Sequence, residues 1–490
     1  MFKNSTANQF RTIAITLCCA FFSLTANAQA EAGTAQKEVA AILPDNVPAL
    51  LVAANEAYAA KNYKVFRDAM VKVHALRPNN SNYMYQLVVA YALLDEKRPA
   101  YDMMVRMQQQ GLAYDFSTTE TTNNIKGTEV FDYINDMMKM AGEPMGEAEV
   151  AFALPESVKL PESIVWDESR KTFLIGTVAD GSVLAVSDKG KVKELLKADE
   201  NNGMWSVFDM LVDVPRNRLW ITSAASPKFS RFNEKDKGRS ALFEYDLNTL
   251  KPIAIYPVPV DGNIHSLGNM VMNPDGDIFI VDRVLPIVYK KLATEAKLAA
   301  LLASREMVSM RGIAIQPDGN MMYIADRELG ILVVDLKGGQ AGKLIVPDML
   351  NVGGIDGLYL WDNHLIMIQN GVQPQRVMRL ALDETGIKVK SVQPLAVALP
   401  DFDFPSYGTI KNKSLYYFDH NQWVDKDDEF KPVKVIRTRV DGVGELEKPD
   451  MQDYLEQRGK VLEAERNQRL EQQQKPEQKP EPEPEPESSN

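Results

Sequence analysis

The sequence predicts two fold classes in one chain: all-α helical repeats, then an all-β six-bladed propeller. Three observations lead there. Apolar residues recur at helical spacing through residues 49–146. From 147 to 448, short alternating strands and turn signals such as PDG, ADG and LKGG take over. Each part also repeats, with a period of roughly 34 residues in the first and roughly 45 to 60 in the second.

The chain of 490 residues opens with Lys3 and Arg11, an apolar run from Thr12 to Leu24, and small residues around Ala26-Asn27-Ala28. A basic start, a short apolar middle and an A-x-A end predict a signal peptide over residues 1–28, followed by a linker over 29–48. The apolar run is too short for a stable membrane span, and no later segment reaches spanning length. Leu17 ahead of Cys18 is too bulky for a lipoprotein cleavage site. The expected location is therefore exported: periplasmic in a Gram-negative cell, otherwise secreted.

Both cysteines, Cys18 and Cys19, fall inside that segment. The mature chain then has no disulfide, no Cys nucleophile and no Cys-ligated zinc. A large domain buries enough apolar surface to do without cross-links. The net charge is −12. Removing Lys3 and Arg11 takes away two positive charges and leaves −14. An acidic chain without a basic stripe is not expected to bind nucleic acid.

In the helical part, ANEAYAAKNYKVFRDAMVKVHALRPNN is followed by NYMYQLVVAYALLDEKRPAYDMMVRMQQQG. Asn62-Tyr63 marks a turn between helices and Pro78 closes the second helix. Ala54, Tyr91 and Ala100 fall where helices pack closely. The pair resembles tetratricopeptide repeats, without the Trp and Gly of their strong consensus. A further segment, TEVFDYINDMMKMAG, is expected to cap it. The resemblance implies a groove for a partner protein or peptide; a plain helical buttress for the next domain is the other reading.

Six units of strand, turn and strand follow. They are ESIVWDESRKTFLIGT from Glu162, DMLVDVPRNRLWITS from Asp209 and GNMVMNPDGDIFIVD from Gly268. RGIAIQPDGNMMYIAD from Arg311, DGLYLWDNHLIMIQN from Asp356 and SYGTIKNKSLYYFDH from Ser406 complete the set. Each is the inner half of a blade. Phe173, Ile175, Trp220, Phe279, Ile280, Tyr323, Ile324 and Tyr416 supply the packing between blades. Glu149 to Pro155 reads as a strand that closes the ring by pairing with Val433 to Val440. Ala293 to Glu306, rich in Ala, Leu, Lys and Glu, reads as an inserted amphipathic helix. Residues 449–490 read as a charged helix and an extended Pro- and Glu-rich tail.

The first strand of each blade lines the central channel, so Glu162, Asp209, Gly268 with Asn269, Arg311, Asp356 and Ser406 are expected to converge. The propeller, over roughly 290 residues, resembles the senescence marker protein/gluconolactonase family. PESIVWDESRKTFLIGT carries Glu162 at that family's metal-ligand position. IDGLYLW carries Asp356 at the position of a ligand and proposed base. The stretch from VFDMLVDVPRNRLWITSAA through ALFEYDLNTLKPIAIYPVP is more similar to the major royal jelly/yellow proteins. The resemblance implies a calcium ion on Glu162 and Asp356. Arg311 departs from it where an Asn ligand is expected, as does Gly268, with Asn269 one residue away.

Calcium takes six to eight oxygen ligands, and a guanidinium offers none. Three arrangements stay open: an ionic network in which Arg311 bridges Glu162, Asp209 or Asp356; a divalent metal on the carboxylates; and capture of an anionic ligand by Arg311. Two functions follow. One is an exported binding or scaffold protein, taking a partner on the helices or a small molecule at the channel. The other is a calcium-dependent lactone hydrolase, with metal on Glu162 and Asp356, Asp209 or Asp356 activating water, and His265 assisting. No G-x-S-x-G, H-E-x-x-H or P-loop motif offers another chemistry.

Overall fold

A computed structural model describes residues 43–426 and 429–442. The expected signal peptide, most of the linker and the tail lie outside these residues. Five α-helices come first: α1 (Val47–Ala59), α2 (Tyr63–Leu76), α3 (Ser81–Leu93), α4 (Lys97–Gln109) and α5 (Glu129–Met140). Asn46, Asn62, Asn80 and Thr128 cap α1, α2, α3 and α5, each side chain accepting a free N–H of the first turn. From Val47 to Ser81 and from Tyr63 to Lys97 the spacing is 34 residues each, as the repeat predicts. Ala54 and Ala100 are buried where the helices meet, Ala54 in a core with Leu50, Phe66 and Met70 and Ala100 in one with Met84, Met104 and Phe131.

Residues from Met145 onward build six antiparallel sheets arranged as blades. The first strands are Pro161–Asp167, Ser206–Asp213, Leu267–Met272, Met310–Ile315, Ile355–Trp361 and Gly408–Lys411. They pack in sequence around a central channel, and the last meets the first. Blades I to V run on through three further strands in chain order, and the apolar alternation fills the gaps between neighbours. Phe173, Ile175, Trp220, Phe279, Ile280, Tyr323 and Ile324 are all buried, as their alternation predicts.

The ring closes as the sequence suggests. Glu149–Ala153 pairs antiparallel with Lys434–Arg439 and becomes the outer strand of blade VI. An early strand and the last one thus share a blade, which ties the two ends of the propeller together. One extra strand was not foreseen: Met145–Gly146 pairs with Val397 and Ala396 as a fifth strand of blade V.

Ala293–Glu306 is not a helix. Ala299–Ala303 is the outer strand of blade III, paired with Ile287–Lys291, and turns precede it. Helix propensity in this stretch is worth only tenths of a kcal/mol per residue (about 0.7 at most). The ladder bonds offered by the exposed edge of Ile287–Lys291 outweigh it.

The helices dock on blades IV and V. Arg77 Nε donates to Glu328 Oε2 (3.1 Å) and Asn79 Nδ2 to the Leu329 carbonyl (3.1 Å). Arg376, buried and with no carboxylate partner among the described residues, donates to the Gln110 carbonyl (3.0 Å) and to Gln369 Oε1 (2.7 Å). Burial pushes its guanidinium down to about 10. Gly353 permits the approach: a Cβ there would lie 2.1 Å from the Asn79 carbonyl oxygen. Val372 of blade V is part of the helical core.

Candidate functional site

The pairing register slips near the start of the first strand in blades I to V. Such bulges re-aim side chains at barrel rims and channel mouths. The extra residue is Glu162 in blade I, Phe208 in blade II and Asp356 in blade V. Gly268 and Arg311 stand at the matching places in blades III and IV. Asp209 is therefore not part of this ring. It stands one residue further in, paired with Thr222.

Glu162 and Asp356 are both buried, with 1% and 4% of their surface exposed. Each is matched by an arginine, but not by Arg311. Glu162 Oε1 lies 2.5 Å from Arg283 Nη1, an ionic contact without the alignment of a hydrogen bond. Its Oε2 accepts from Trp423 Nε1 (2.6 Å). Asp356 is paired with Arg327 and accepts from Asn370 Nδ2. Among the described residues, Arg311 donates to backbone carbonyls alone, those of Met310 (2.8 Å) and Arg283 (3.3 Å). The expected ionic network exists, but Arg283 and Arg327 build it in place of Arg311.

Arg283 and Arg327 come from equivalent places, the residue after the second strands Ile278–Asp282 and Met321–Asp326. From there each side chain crosses the mouth. Arg283 packs on the rings of Phe208 (4.8 Å) and Tyr407 (5.7 Å). This explains Gly268: a Cβ at that position would meet Arg283 Cγ and Cδ at 2.5 and 2.6 Å. The sequence carried a signal for this pair, the repeated IVDR and IADR at the ends of second strands.

The electrostatics follow the pairing. Burial works to raise the Asp356 carboxyl, but Arg327, Arg311 and the Asn370 donor outweigh it and hold it below the usual range. Burial pushes Glu162 up, more than Arg283 and Trp423 pull it back. Burial and the charge of Arg283 push Arg311 down. With three guanidiniums against two carboxylates, the mouth is short of negative charge.

Asp209 lies in the channel behind this cluster, where its Oδ2 accepts from Met270 N (2.9 Å). Burial pushes its carboxyl up to about 7. Asn269 lines the same channel, which has a volume of about 600 Å³. His265 does not reach it. It is held between Asp282 (2.8 Å) and Asp261 (3.0 Å) and lines a separate cavity of about 850 Å³ on blade II. Burial lowers its affinity for a proton, but the two carboxylates outweigh that and raise it. Ser406 is buried at the start of blade VI.

The donor set at the mouth does not suit calcium. Its two carboxylates already face guanidiniums, and Arg283 lies across Gly268 toward Glu162. Among the described residues, no three His, Cys, Asp or Glu side chains come together as a metal site. No described helix is long and apolar enough to cross a membrane.

The fold and mouth define a six-bladed propeller with an arginine-lined channel opening. Its structural neighbours are regucalcin- and gluconolactonase-like propellers. The calcium-binding protein regucalcin of Agrobacterium tumefaciens is 15% identical, with a TM-score of 0.43, over 59% of this chain and 95% of its own. A gluconolactonase of Xanthomonas campestris is 14% identical, with a TM-score of 0.41, over 60% and 89%. A luciferin-regenerating enzyme is 16% identical, with a TM-score of 0.41, over 62% and 96%. No family model and no curated protein sequence matches the chain. At these identities the likeness extends to the fold alone.

Proposed function

We propose that the chain is an exported binding protein whose propeller mouth captures an anionic group, a carboxylate on a small ligand or partner. One observation carries this reading. The two carboxylates of the mouth are each matched by an arginine from a second-strand end, which, among the described residues, leaves the half-buried Arg311 guanidinium with carbonyl partners only. Arginine stays charged and offers a planar fork that fits a carboxylate. Trp423, half-buried beside Glu162, adds an apolar side for the body of such a ligand.

The helical hairpins supply a second surface in this proposal, for a partner peptide. Export rests on the first 28 residues and is checked by cell fractionation. The mouth is tested by calorimetric titration with sodium benzoate and sodium gluconate. The reading expects saturable one-to-one binding of at least one of them, lost in Arg311→Gln. Equal binding by the variant, or none by the parent, overturns it.

A second reading, hydrolysis of a lactone or related ester, is favoured by Asp209. A carboxyl near 7 is poised to take a proton from an attacking water. Turnover on a lactone panel, lost in Asp209→Asn, would support it over binding alone.

A further inference from the structure

The two ends of the channel have opposite chemistry. Behind the mouth cluster the channel, lined by Asp209 and Asn269, forms a chamber of about 600 Å³, within the size range of small-molecule sites (about 300–1,000 Å³). Its wall takes one side chain from each blade at the same level: Val165, Leu211, Val271, Ala314, Tyr359 and Thr409. Four are aliphatic. The Tyr359 hydroxyl is engaged, accepting from Gly408 N (2.5 Å).

Asp209 and Asn269 close the inner end beneath the mouth cluster. No Lys, Arg or His lines the chamber. Among the described residues, no basic side chain forms an ion pair with Asp209. Its Oδ2 is held by a backbone N–H, and the nearest charged groups beyond it are Arg283 and its partner Glu162 in the mouth cluster. A carboxylate in such a place is stabilised by one further cation.

We propose that this chamber is a binding site for an organic monocation, a primary amine. Its ammonium meets Asp209, with the Asn269 amide beside it, and its apolar tail lies along the aliphatic wall. The site is separate from the anion site at the mouth and does not depend on it. A compact ammonium with three donors matches one carboxylate oxygen and one amide oxygen. An anion would find no donor side chain of opposite charge there. A neutral alcohol of the same length would gain the apolar contacts without the ion pair.

The test is calorimetric titration of the purified protein at pH 8 with n-hexylammonium chloride, 1-hexanol and sodium hexanoate. The expected order is hexylammonium binding at one site, with hexanol about tenfold weaker or more and hexanoate not bound. Asp209→Asn lowers the affinity for hexylammonium by about tenfold or more and leaves hexanol unchanged. Thr409→Trp, which fills the chamber from its wall, abolishes both, and Arg311→Gln alters neither. If Asp209→Asn does not fold, the ligand series and Thr409→Trp decide. Hexanoate or hexanol binding as tightly as the amine overturns the proposal. So does undiminished amine binding by Asp209→Asn or Thr409→Trp, or no amine binding by the parent protein.

Discussion

Removing Arg283 measures what holds the channel mouth together. In Arg283→Met the Glu162 carboxylate, with 1% of its surface exposed, keeps Trp423 Nε1 as its direct donor and loses its counter-charge. Breaking a buried pair from one side costs about 3–5 kcal/mol. Loss of the contact with Phe208 adds about 0.5–1 kcal/mol. The reverse change, Glu162→Gln, is milder. It strands an arginine whose side chain is 14% exposed and that still donates to the Tyr407 hydroxyl. Water reaches that guanidinium, so the expected cost is about 1–2 kcal/mol. The double variant removes both charges together. It should be more stable than Arg283→Met alone, with a coupling energy of about 2 kcal/mol. Urea unfolding followed by tryptophan fluorescence reads all three. Costs below about 1 kcal/mol that simply add would refute the buried pair.

Other expectations follow from single contacts. Native Asp209 holds its proton up to about 7, whereas an unfolded aspartate loses it near its ordinary value of about 3.9. Between these values the native state binds more protons, so this group makes stability fall as pH rises. The loss is complete above the folded value. Asp209→Asn should therefore stabilise the protein at pH 8 relative to pH 5, by about 1–2 kcal/mol once partial solvent access is allowed for; a pH-independent effect would contradict this. Arg376→Met removes the buried donor to Gln110 and Gln369 and should cost about 2–4 kcal/mol in thermal or urea unfolding. Gly353→Ala places a methyl against the Asn79 carbonyl and should cost about 1–3 kcal/mol, with raised proteolysis of the helical hairpins. An unchanged digestion rate would argue against close docking there.

The period-two alternation of the strands was legible because it reports burial directly. It placed six inner strands and the Glu149–Ala153 closure where they are found. The outer strand Ala299–Ala303 was not legible. Its composition favours helix, and only the unpaired edge of Ile287–Lys291, a tertiary fact, decides otherwise. At the mouth, Glu162, Arg311 and Asp356 were found because they sit on first strands. Arg283 and Arg327 were missed because their Cα atoms lie outside the channel wall and only long side chains bring the charge in. Asp209 shifted by one place because a bulge at Phe208 changes the offset without changing the strand pattern.

Guanidiniums occupy the carboxylates at the propeller mouth, and the proposed anion site rests on that pairing. Calorimetric titration of the purified protein with calcium chloride tests this most directly. No saturable one-to-one isotherm is expected up to millimolar concentration. A stoichiometric calcium site, lost in both Glu162→Gln and Asp356→Asn, would contradict it.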